Sequence, residues 1–424
     1  MMAFLLKGIL RDRSRSLFPF LTVLVGVFLT VALFCYIKGA EIDVVRYNAN
    51  LSHGHVKVVT RAYANEVDQV PNDLALTAVS SLILDLRQAY PGMDWAPRIR
   101  FGGLLDIPDA NSETRSQGPV FGLAADLLTP SSREPERLEL RKALVSGRLP
   151  ANQGEMLISD DLAQKLKVRP GDQATLISTT IAGSMAIKNF TVAGTLRFGI
   201  RAMDRTGMIA DLSDIRDALD MADSAGEVLG FFEDGLFRRD RSEAAALSFN
   251  ARFRDEGDEF RPVMQTLIEQ PGMGLMFGSL TYAMSLIILV FLFAMSLVLW
   301  NAGLIGTLRR HGEFGVRLAI GEDKGHVYRS MIYESLMIGV LGTLAGTALG
   351  LALSYYLQVH GIDLSGMLKN ITIMMPTVLR CRVTPLSYVI GFIPGLLATL
   401  AGTAIAGRRI YKRQTSQLFK ELET

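Results

Sequence analysis

Four uncharged apolar stretches divide this chain, and each is long enough to cross a membrane. They cover residues 17–37, 275–308, 335–362 and 383–407. A helix of about 20 apolar residues crosses a bilayer core of about 30 Å, so the pattern predicts four transmembrane helices. The second stretch is longer than a bilayer requires, which indicates a stalk outside the membrane or a strong tilt.

The long polar stretch between the first two predicted spans has the mixed periodicity of an α+β domain. Residues 54–60 and 98–107 read as strands, and residues 73–89 place apolar positions on one side of a helix. Residues 122–199 are rich in strands and turns, which indicates a second, more β-rich lobe. Charge patterning over residues 242–270 predicts a mostly helical return to the second span.

The predicted fold is therefore an α-helical membrane protein with four transmembrane helices. An α+β two-lobed extracytoplasmic domain is inserted between helices 1 and 2. The predicted segments, in chain order, are a cytoplasmic interfacial helix at 1–16, transmembrane helix 1 at 17–40, the extracytoplasmic domain at 41–274 with its β-rich lobe at about 120–205, a stalk with transmembrane helix 2 at 275–308, a cytoplasmic helix at 309–330, transmembrane helix 3 at 331–359, a short outer loop at 360–382, transmembrane helix 4 at 383–407 and a cytoplasmic tail at 408–424.

Basic residues fix the expected orientation of these spans. Lys and Arg cluster before the first span, between the second and third, and after the fourth, which predicts that all three regions are cytoplasmic. The loop between the third and fourth spans contains Lys369, Arg380 and Arg382, which is a weaker signal for the opposite orientation. Both termini are then cytoplasmic, and the polar domain lies outside. The balanced charge of +2 and the mean hydropathy of +0.26 fit a mixture of membrane spans and a soluble part.

Motifs for catalysis and metal binding do not occur in the sequence. It has no P-loop, no His-Glu-x-x-His, no Cys-x-x-Cys and no Gly-x-Ser-x-Gly pattern. His53 and His55 are spaced to share one face of a strand, but no third ligand accompanies them, so we expect polar residues at a strand entrance rather than a metal site. Cys35 and Cys381 give no disulfide framework. The sequence thus predicts a protein that is not an enzyme.

The charged segment between the second and third spans has two apolar faces when it is placed on a helix. Phe314 and Leu318 fall on one side, and Val316 and Ile320 fall on nearly the opposite side. Such a helix needs two partners, of which one can be this protein's own membrane helices and the other a separate protein. A solvated loop is the alternative. Glu313 stands four residues before the segment's central arginine, so the two side chains can pair.

Glycines recur along the third predicted span, directly after a carboxylate in its first turn. Glu334 is expected to face protein or the membrane interface, because a lipid-facing carboxylate costs a few kcal/mol; alternatively it marks the membrane boundary. Gly342, Gly346 and Gly350 are spaced by four, with Gly339 just before them, which predicts a smooth face for close helix packing. The partner can lie in the same chain or in another.

The charged segment and the third predicted span together resemble the permease subunits of MacB/FtsX-type ABC transporters. The positions that match the family pattern are Glu313, Gly315, Arg317, Ala319, Gly321, Glu334, Gly339, Gly342 and Gly346. Phe314 replaces a usual aliphatic residue, and Glu322-Asp323 replaces a usual small polar pair. Pieces of the polar domain, such as Gly147-Arg148-Leu149 and Val192-Ala193-Gly194-Thr195, add similarity to lipoprotein-releasing (LolC/LolE-like) permease subunits.

The resemblance implies the permease subunit of a mechanotransmitting ABC transporter in the bacterial inner membrane, with its large domain in the periplasm. It implies that this chain binds no cofactor, and that ATP and Mg reside on a separate, dimeric P-loop ATPase subunit. Further implied partners are a second permease subunit, identical or different, a periplasmic chaperone or adaptor, and a lipoprotein or other hydrophobic substrate, but no nucleic acid. The implied ATPase-coupling residues are Glu313, Phe314, Gly315, Val316, Arg317, Leu318, Ala319, Ile320 and Gly321.

Substrate handling leaves several alternatives open. Leu24, Val27, Phe28 and Val31 lie on one apolar face of the first span and are candidates for a lipid-accessible substrate cavity, or for simple lipid contact. The leading expectation is extraction of lipoprotein from the outer leaflet of the inner membrane. Tripartite efflux of drugs, peptides or toxins is an alternative, as is FtsX-like signalling to a periplasmic hydrolase. A membrane receptor unrelated to ATPases is a further one.

Overall fold

The computed structural model describes residues 13–109, 111, 113–198, 201–253, 257–308, 311–363 and 378–412. They form two compact units: a helical unit, drawn from residues 1–43, 278–364 and 377–424, and an inserted domain of residues 44–277. Among the described residues, four helices are long and apolar enough to cross a membrane, and a sheet-rich domain stands between the first and the second in chain order. The predicted fold class is therefore confirmed.

The helices are numbered here along the chain. They are α1 Arg13–Asn48, α2 Arg61–Asn65, α3 Val79–Ala89, α4 Glu134–Arg137, α5 Leu140–Ala143, α6 Asp160–Leu166, α7 Arg201–Thr206, α8 Leu212–Ala218, α9 Arg239–Arg252, α10 Met273–Leu308, α11 His311–Ala319, α12 Lys324–His360 and α13 Thr399–Lys412. The strands are β1 Val56–Thr60, β2 Met93–Pro108, β3 Thr114–Ala125, β4 Leu144–Gly147, β5 Glu155–Ser159, β6 Gln173–Thr179, β7 Met185–Leu196, β8 Gly207–Asp211, β9 Glu227–Phe232, β10 Pro262–Thr266, β11 Ile362–Asp363 and β12 Val378–Leu379.

In the helical unit, α1, α10 and α12 are continuous, whereas the fourth span is irregular. It starts with a 3₁₀ turn at Pro385–Tyr388, continues as a π-helical stretch at Ile393–Ala398, and becomes regular only in α13. Pro394 stands in the first turn of the π-helical stretch, where its missing N–H costs least. The sequence pattern predicted one continuous helix here, because apolar periodicity does not register a local change of helix type.

Several predicted segments fall wholly or partly outside the described residues. Of the interfacial helix at 1–16, residues 1–12 lie outside them, and α1 begins at Arg13. Residues 413–424 of the tail also lie outside. Of the loop at 360–382, the described ends form a short antiparallel pair between β11 and β12.

A ten-stranded sheet forms the inserted domain, with neighbours in the order β10-β1-β9-β2-β3-β8-β5-β7-β4, and β6 paired with β2 and β7. The long strand β2 joins two lobes. Its first part, Met93 to Arg98, pairs with β9, and its second part, from Ile99 to Pro108, pairs with β3. Both lobes bury apolar residues over a shared core, so the domain does not need disulfides to fold.

The end of the inserted domain corrects one expectation. Residues 242–270 were expected to be mostly helical, but only α9 is helical, and β10 follows as a strand. β10 pairs antiparallel with β1, with Val58 opposite Met264. Charge patterning suits a solvated helix and a sheet edge equally well, so the pairing with a strand some 200 residues away decides the outcome.

Candidate coupling site and helix packing

The short helix α11 lies on the first turns of α12 through one apolar face. Phe314 is buried against Val327 and Met331, and half-buried Leu318 packs beside it. Gly321, with φ of +97°, ends the helix in a left-handed conformation that favours glycine. Asp323 then caps α12 by accepting hydrogen bonds from the backbone N–H groups of Gly325 (2.8 Å) and His326 (3.3 Å).

The opposite face of α11 is open. The side chain of Val316 is 44% exposed and that of Ile320 is 82% exposed. This is the two-faced arrangement that the sequence spacing predicts. Burying each of these side chains against a partner would contribute about 1.5–3 kcal/mol, so the exposed face offers binding energy that the described part of the chain leaves unused.

An ion pair closes the turn between α11 and α12. The Arg317 guanidinium donates to both carboxylate oxygens of Glu322, at 2.7 and 3.0 Å. The sequence reasoning considered only Glu313 as a partner of Arg317 and so missed this contact. Both side chains are partly exposed, so the pair contributes no more than about 1 kcal/mol. Its effect is to fix the turn that sets the direction of α11.

The glycines of α12 form a ridge that receives α1. A Cβ atom added at Gly342 would lie 2.8 Å from Val23, and one added at Gly350 would lie 2.9 Å from Val31. At Gly346 it would lie 2.5 Å from the Leu24 backbone oxygen. Close approach of this kind requires glycine. The sequence left open whether the ridge packs within the chain, and the structure places its partner in α1.

Val27 occupies the centre of this packing. It is fully buried, and added Cβ atoms at Gly346 and at Gly391 of the fourth span would both overlap its side chain. Gly339, one turn before the ridge, faces Gly395 and Thr399 of the fourth span instead. α12 therefore packs on α1 and on the fourth span at once.

Of the four residues predicted to line a substrate cavity, two are packing residues in this structure. Val27 and Val31 are fully buried within the bundle, so they do not face a lipid-accessible space. The reason is that the glycines of α12 pack against this face of α1, for which the sequence pattern indicated no packing partner. Leu24 and Phe28 are half-buried, and their contact with substrate stays a prediction.

Glu334 is half-buried and lines a cavity of about 400 Å³ at the α11 end of the helical unit. The exposed side chain of Glu313 also borders this cavity, and so does the buried ring of Phe314. The two carboxylates that the sequence assigned to different tasks, coupling and helix packing, thus line the same cavity.

Buried charges in the inserted domain were not anticipated. Glu227 forms an ion pair with Lys57 at 2.7 Å and accepts a hydrogen bond from Arg100 at 3.1 Å, and Arg98 pairs with Glu134 at 2.6 Å. Burial alone would raise the pKa of Glu227, but its basic neighbours lower it to about 2. Burial lowers the pKa of Lys57 to about 8, an effect that Glu227 partly offsets. Glu227 is the first residue of strand β9 and Glu134 the first of the short helix α4, and no local sequence pattern shows that either faces inward.

The arginines of this network also hold the end of α1. Arg98 donates to the backbone oxygens of Leu51 (2.7 Å) and Asn50 (2.8 Å), and Arg100 donates to that of Ser52 (2.8 Å). The segment that leads from α1 into β1 is thereby tied to strand β2. Both arginines sit inside the predicted strand at 98–107, but alternation alone gave no reason to single them out.

His55 is a core residue of the inserted domain. Its Nδ1 accepts the backbone N–H of Phe232 at 2.9 Å, and its ring stacks on the Phe232 ring at 5.2 Å between centroids. Burial is the main reason that its pKa is lowered to about 4. These contacts make His55 a structural group of the core.

Comparison with known proteins agrees with this architecture. Residues 285–415 match the family model described as FtsX-like permease C-terminal. The lipoprotein-releasing system transmembrane protein LolC of Haemophilus influenzae is 25% identical over 270 residues, which span 62% of this chain and 63% of that protein. The crystal structure of the periplasmic region of MacB from Actinobacillus actinomycetemcomitans aligns with 50% of this chain and 89% of its own, at 10% identity and a TM-score of 0.33. A TM-score this low carries no argument about the fold.

By its matched C-terminal part, the chain is similar to FtsX-like permeases. Within that class it resembles the lipoprotein-releasing protein LolC.

Proposed function

We propose that this chain is the permease subunit of an ABC transporter in the bacterial inner membrane. A separate ATPase subunit, which carries ATP and Mg, binds α11 and drives motion of the inserted domain in the periplasm. The observation that carries this proposal is the geometry of α11: one face is packed on α12 through Phe314, and the other, with Val316 and Ile320, is exposed.

The exposed face suits a groove on another protein. A short amphipathic helix that docks in a groove is a common mode of recognition, and its apolar anchors are spaced by three or four residues. Val316 and Ile320 have that spacing. The exposed side chain of Glu313 adds a charge that orients the contact. This sequence contains no P-loop, and we propose that the ATPase that acts on it is a separate subunit.

The packing inside the helical unit supports mechanical coupling. Phe314 contacts Val327 and Met331 at the start of α12, and the ridge of α12 is locked to α1 around Val27. A force on α11 would therefore move α12 and α1, because close-packed elements move together rather than deform. The chain runs directly from α1 into the inserted domain, and Arg98 and Arg100 hold that junction.

Lipoprotein is the substrate we propose, with extraction from the outer leaflet of the inner membrane. Support comes from the similarity to LolC, whose name describes lipoprotein release. A second permease subunit would cover the exposed apolar side of α10, where Leu289, Val290 and Phe293 are all more than half exposed. Of the four candidate cavity residues, Leu24 and Phe28 are the two that are not fully buried and could contact acyl chains, and a periplasmic chaperone or adaptor would receive the product.

Reconstitution tests this proposal. The tagged full chain is purified from native membranes with everything it retains, placed in proteoliposomes with a lipoprotein, and supplied with MgATP. We expect a retained P-loop ATPase and release of lipoprotein that depends on ATP. Retention of an adaptor and export of a soluble compound would instead indicate tripartite efflux. Activation of a periplasmic hydrolase without release would indicate signalling, and a chain that retains no ATPase would contradict the proposal.

A further inference from the structure

The two cysteines of the chain stand far apart in the sequence but lie close together in the helical unit. Cys35 is near the end of the first predicted span, and Cys381 comes just before the fourth. Both thiols are free and buried, and both residues belong to one apolar cluster. Two thiols in one cluster can react with each other in a way that a single buried thiol cannot.

Backbone contacts hold the two residues next to each other. The N–H of Arg382 donates a hydrogen bond to the carbonyl oxygen of Cys35 at 2.9 Å. Four residues further along α1, a Cβ atom added at Gly39 would lie 2.9 Å from the Cα of Cys381, so glycine allows the chain to approach α1 this closely. The Cα atoms of the two cysteines are therefore connected through one hydrogen bond and the short covalent links beside it. Such a path suits the separation of about 4.4–6.8 Å that a disulfide requires.

The pair lies where the apolar span gives way to charged residues. The backbone N–H of Arg380 donates to the Asp43 carboxylate at 3.3 Å, and Lys38 pairs with Glu41 at 2.8 Å. Charged groups of this density mark the membrane interface rather than the hydrocarbon core. In the orientation of the proposed function, this end of the bundle is on the periplasmic side, and the periplasm is a compartment in which disulfides form and persist.

We propose that Cys35 and Cys381 form an intramolecular disulfide that ties α1 to the start of the fourth span. Each thiol gives up its proton, a bond forms between the two sulfur atoms, and two electrons pass to the disulfide of a thiol oxidant, which is reduced to a dithiol. The compartment that supplies this oxidant rests on the proposed function. The pairing of the two residues does not, because it depends only on contacts within this chain.

Burial sets the rate of this reaction. It raises the pKa of the Cys381 thiol to about 11, and the nearby Cys35 acts in the same direction, so little thiolate is present at neutral pH. The thiolate is the attacking species, and oxidation should therefore become faster as the pH rises. Reduction returns both thiols, so thiol labelling of the unlinked bundle is done on reduced protein.

Oxidation of the purified full chain tests the proposal. The chain in lipid nanodiscs is reduced, freed of reductant and treated at mildly alkaline pH with diamide, whose N=N bond takes up the two electrons and two protons. Acid stops the reaction, the chain is unfolded, and its free thiols are counted with a maleimide that carries a polyethylene glycol tag. We expect the monomer band to change from two tags to none, and a reductant added before tagging to restore both.

A displaced thiol is the matched control. Cys35→Ser combined with Ile37→Cys keeps two cysteines at buried positions, because Ile37 is only 4% exposed. Two residues further along the helix, however, a side chain points to nearly the opposite side of α1. The unmutated chain should lose its tags at least about tenfold faster than this variant, because only its two thiols are held next to each other.

Three results would overturn the proposal. One is an unmutated chain that keeps both tags for as long as the displaced-thiol variant does. Another is a link that runs as a dimer on a non-reducing gel, since it would join two copies of the chain. The third is a Cys35→Ser chain that loses its remaining tag as fast as the unmutated chain, and this result stays decisive if the displaced-thiol variant does not fold. Because neither an ATPase nor a lipoprotein is present, failure of the disulfide leaves the proposed function untouched.

Discussion

Substitution of a single ridge glycine tests how tightly α12 and α1 are packed. In Gly346→Ala the new methyl group would lie 2.5 Å from the Leu24 backbone oxygen and 2.9 Å from the Cβ of Val27. The first of these atoms is part of the α1 backbone, so it cannot move without shifting the helix. Gly278→Ala in α10 is the matched control, because its methyl group would meet no atom within 4 Å.

The expected magnitude follows from comparing the two variants. Replacing a helical glycine with alanine favours the helix by about 1 kcal/mol, and this gain is common to both. Overpacking a well-packed site costs about 1–3 kcal/mol and applies only to Gly346→Ala. For a unit of this size, 1 kcal/mol shifts the unfolding midpoint by about 2–4 °C. We therefore expect Gly346→Ala to melt about 6 °C below Gly278→Ala.

The cysteines of the chain provide the assay. Cys35 and Cys381 are its only cysteines, and both are buried in the cluster that holds Val23, Val27 and Val31. A thiol-reactive fluorogenic dye therefore labels the protein only when this bundle opens, and a temperature ramp gives the midpoint. If the two alanine variants melted at the same temperature, the close contact between the ridge and α1 would be refuted.

Two further predictions concern the inserted domain. Glu227→Gln removes the negative charge that pairs with buried Lys57 and partly exposed Arg100, and should lower the free energy of unfolding by about 3–5 kcal/mol. Second, stability should fall between pH 6.5 and 4.5, because His53 and His55 both stay neutral in the folded state, each with a pKa of about 4, while the unfolded state gains a proton at each. The loss is at most about 1.4 kcal/mol per pH unit for each histidine, and His55→Gln should reduce the slope by about half.

Denaturant unfolding followed by tryptophan fluorescence measures both effects. The chain has two tryptophans, and Trp95 is buried in the inserted domain. A Trp300→Phe background therefore makes the signal specific to that domain. The exposed Asp85→Asn is the control for Glu227→Gln, and equal stability of these two variants would contradict the role of the buried network. A pH slope unchanged in His55→Gln would contradict the assignment to His55. Glu227 does not interfere, because its contribution is lost only as the pH falls from about 4.5 toward 2.

The main features of the helical unit could be predicted from the sequence, and there is a physical reason for this. A bilayer demands long apolar helices, and close approach of two helices demands small residues at every fourth position, so both requirements are written as local patterns. Gly342, Gly346 and Gly350 are therefore recognisable as a ridge from their spacing alone. Val23, Val27 and Val31, spaced by four in the first span, form the complementary face, but the sequence analysis offered Val27 and Val31 only as candidates for a substrate cavity or for lipid contact.

Contacts between distant parts of the chain could not be predicted from local sequence patterns. Strand β10 is determined by pairing with β1, and Glu227 is determined by meeting Lys57 across neighbouring strands. Neither partner can be chosen from local periodicity, because many segments of a 424-residue chain have suitable patterns. The turn between α11 and α12 is a local example. Arg317 pairs with Glu322, whereas the sequence analysis considered only Glu313 as its partner.

The central claim is that the exposed face of α11 binds a separate ATPase, and one pair of variants tests it most directly. Ile320→Asp places a charge on that face, where the isoleucine side chain is 82% exposed, so the fold of the chain should be unaffected. Leu247→Asp places the same charge at a 73% exposed position in α9 of the inserted domain. Each tagged variant is purified from native membranes, and the copurifying ATPase is quantified against the unmutated chain. We predict that Ile320→Asp loses the ATPase and Leu247→Asp retains it. Full retention of the ATPase by Ile320→Asp would contradict the account.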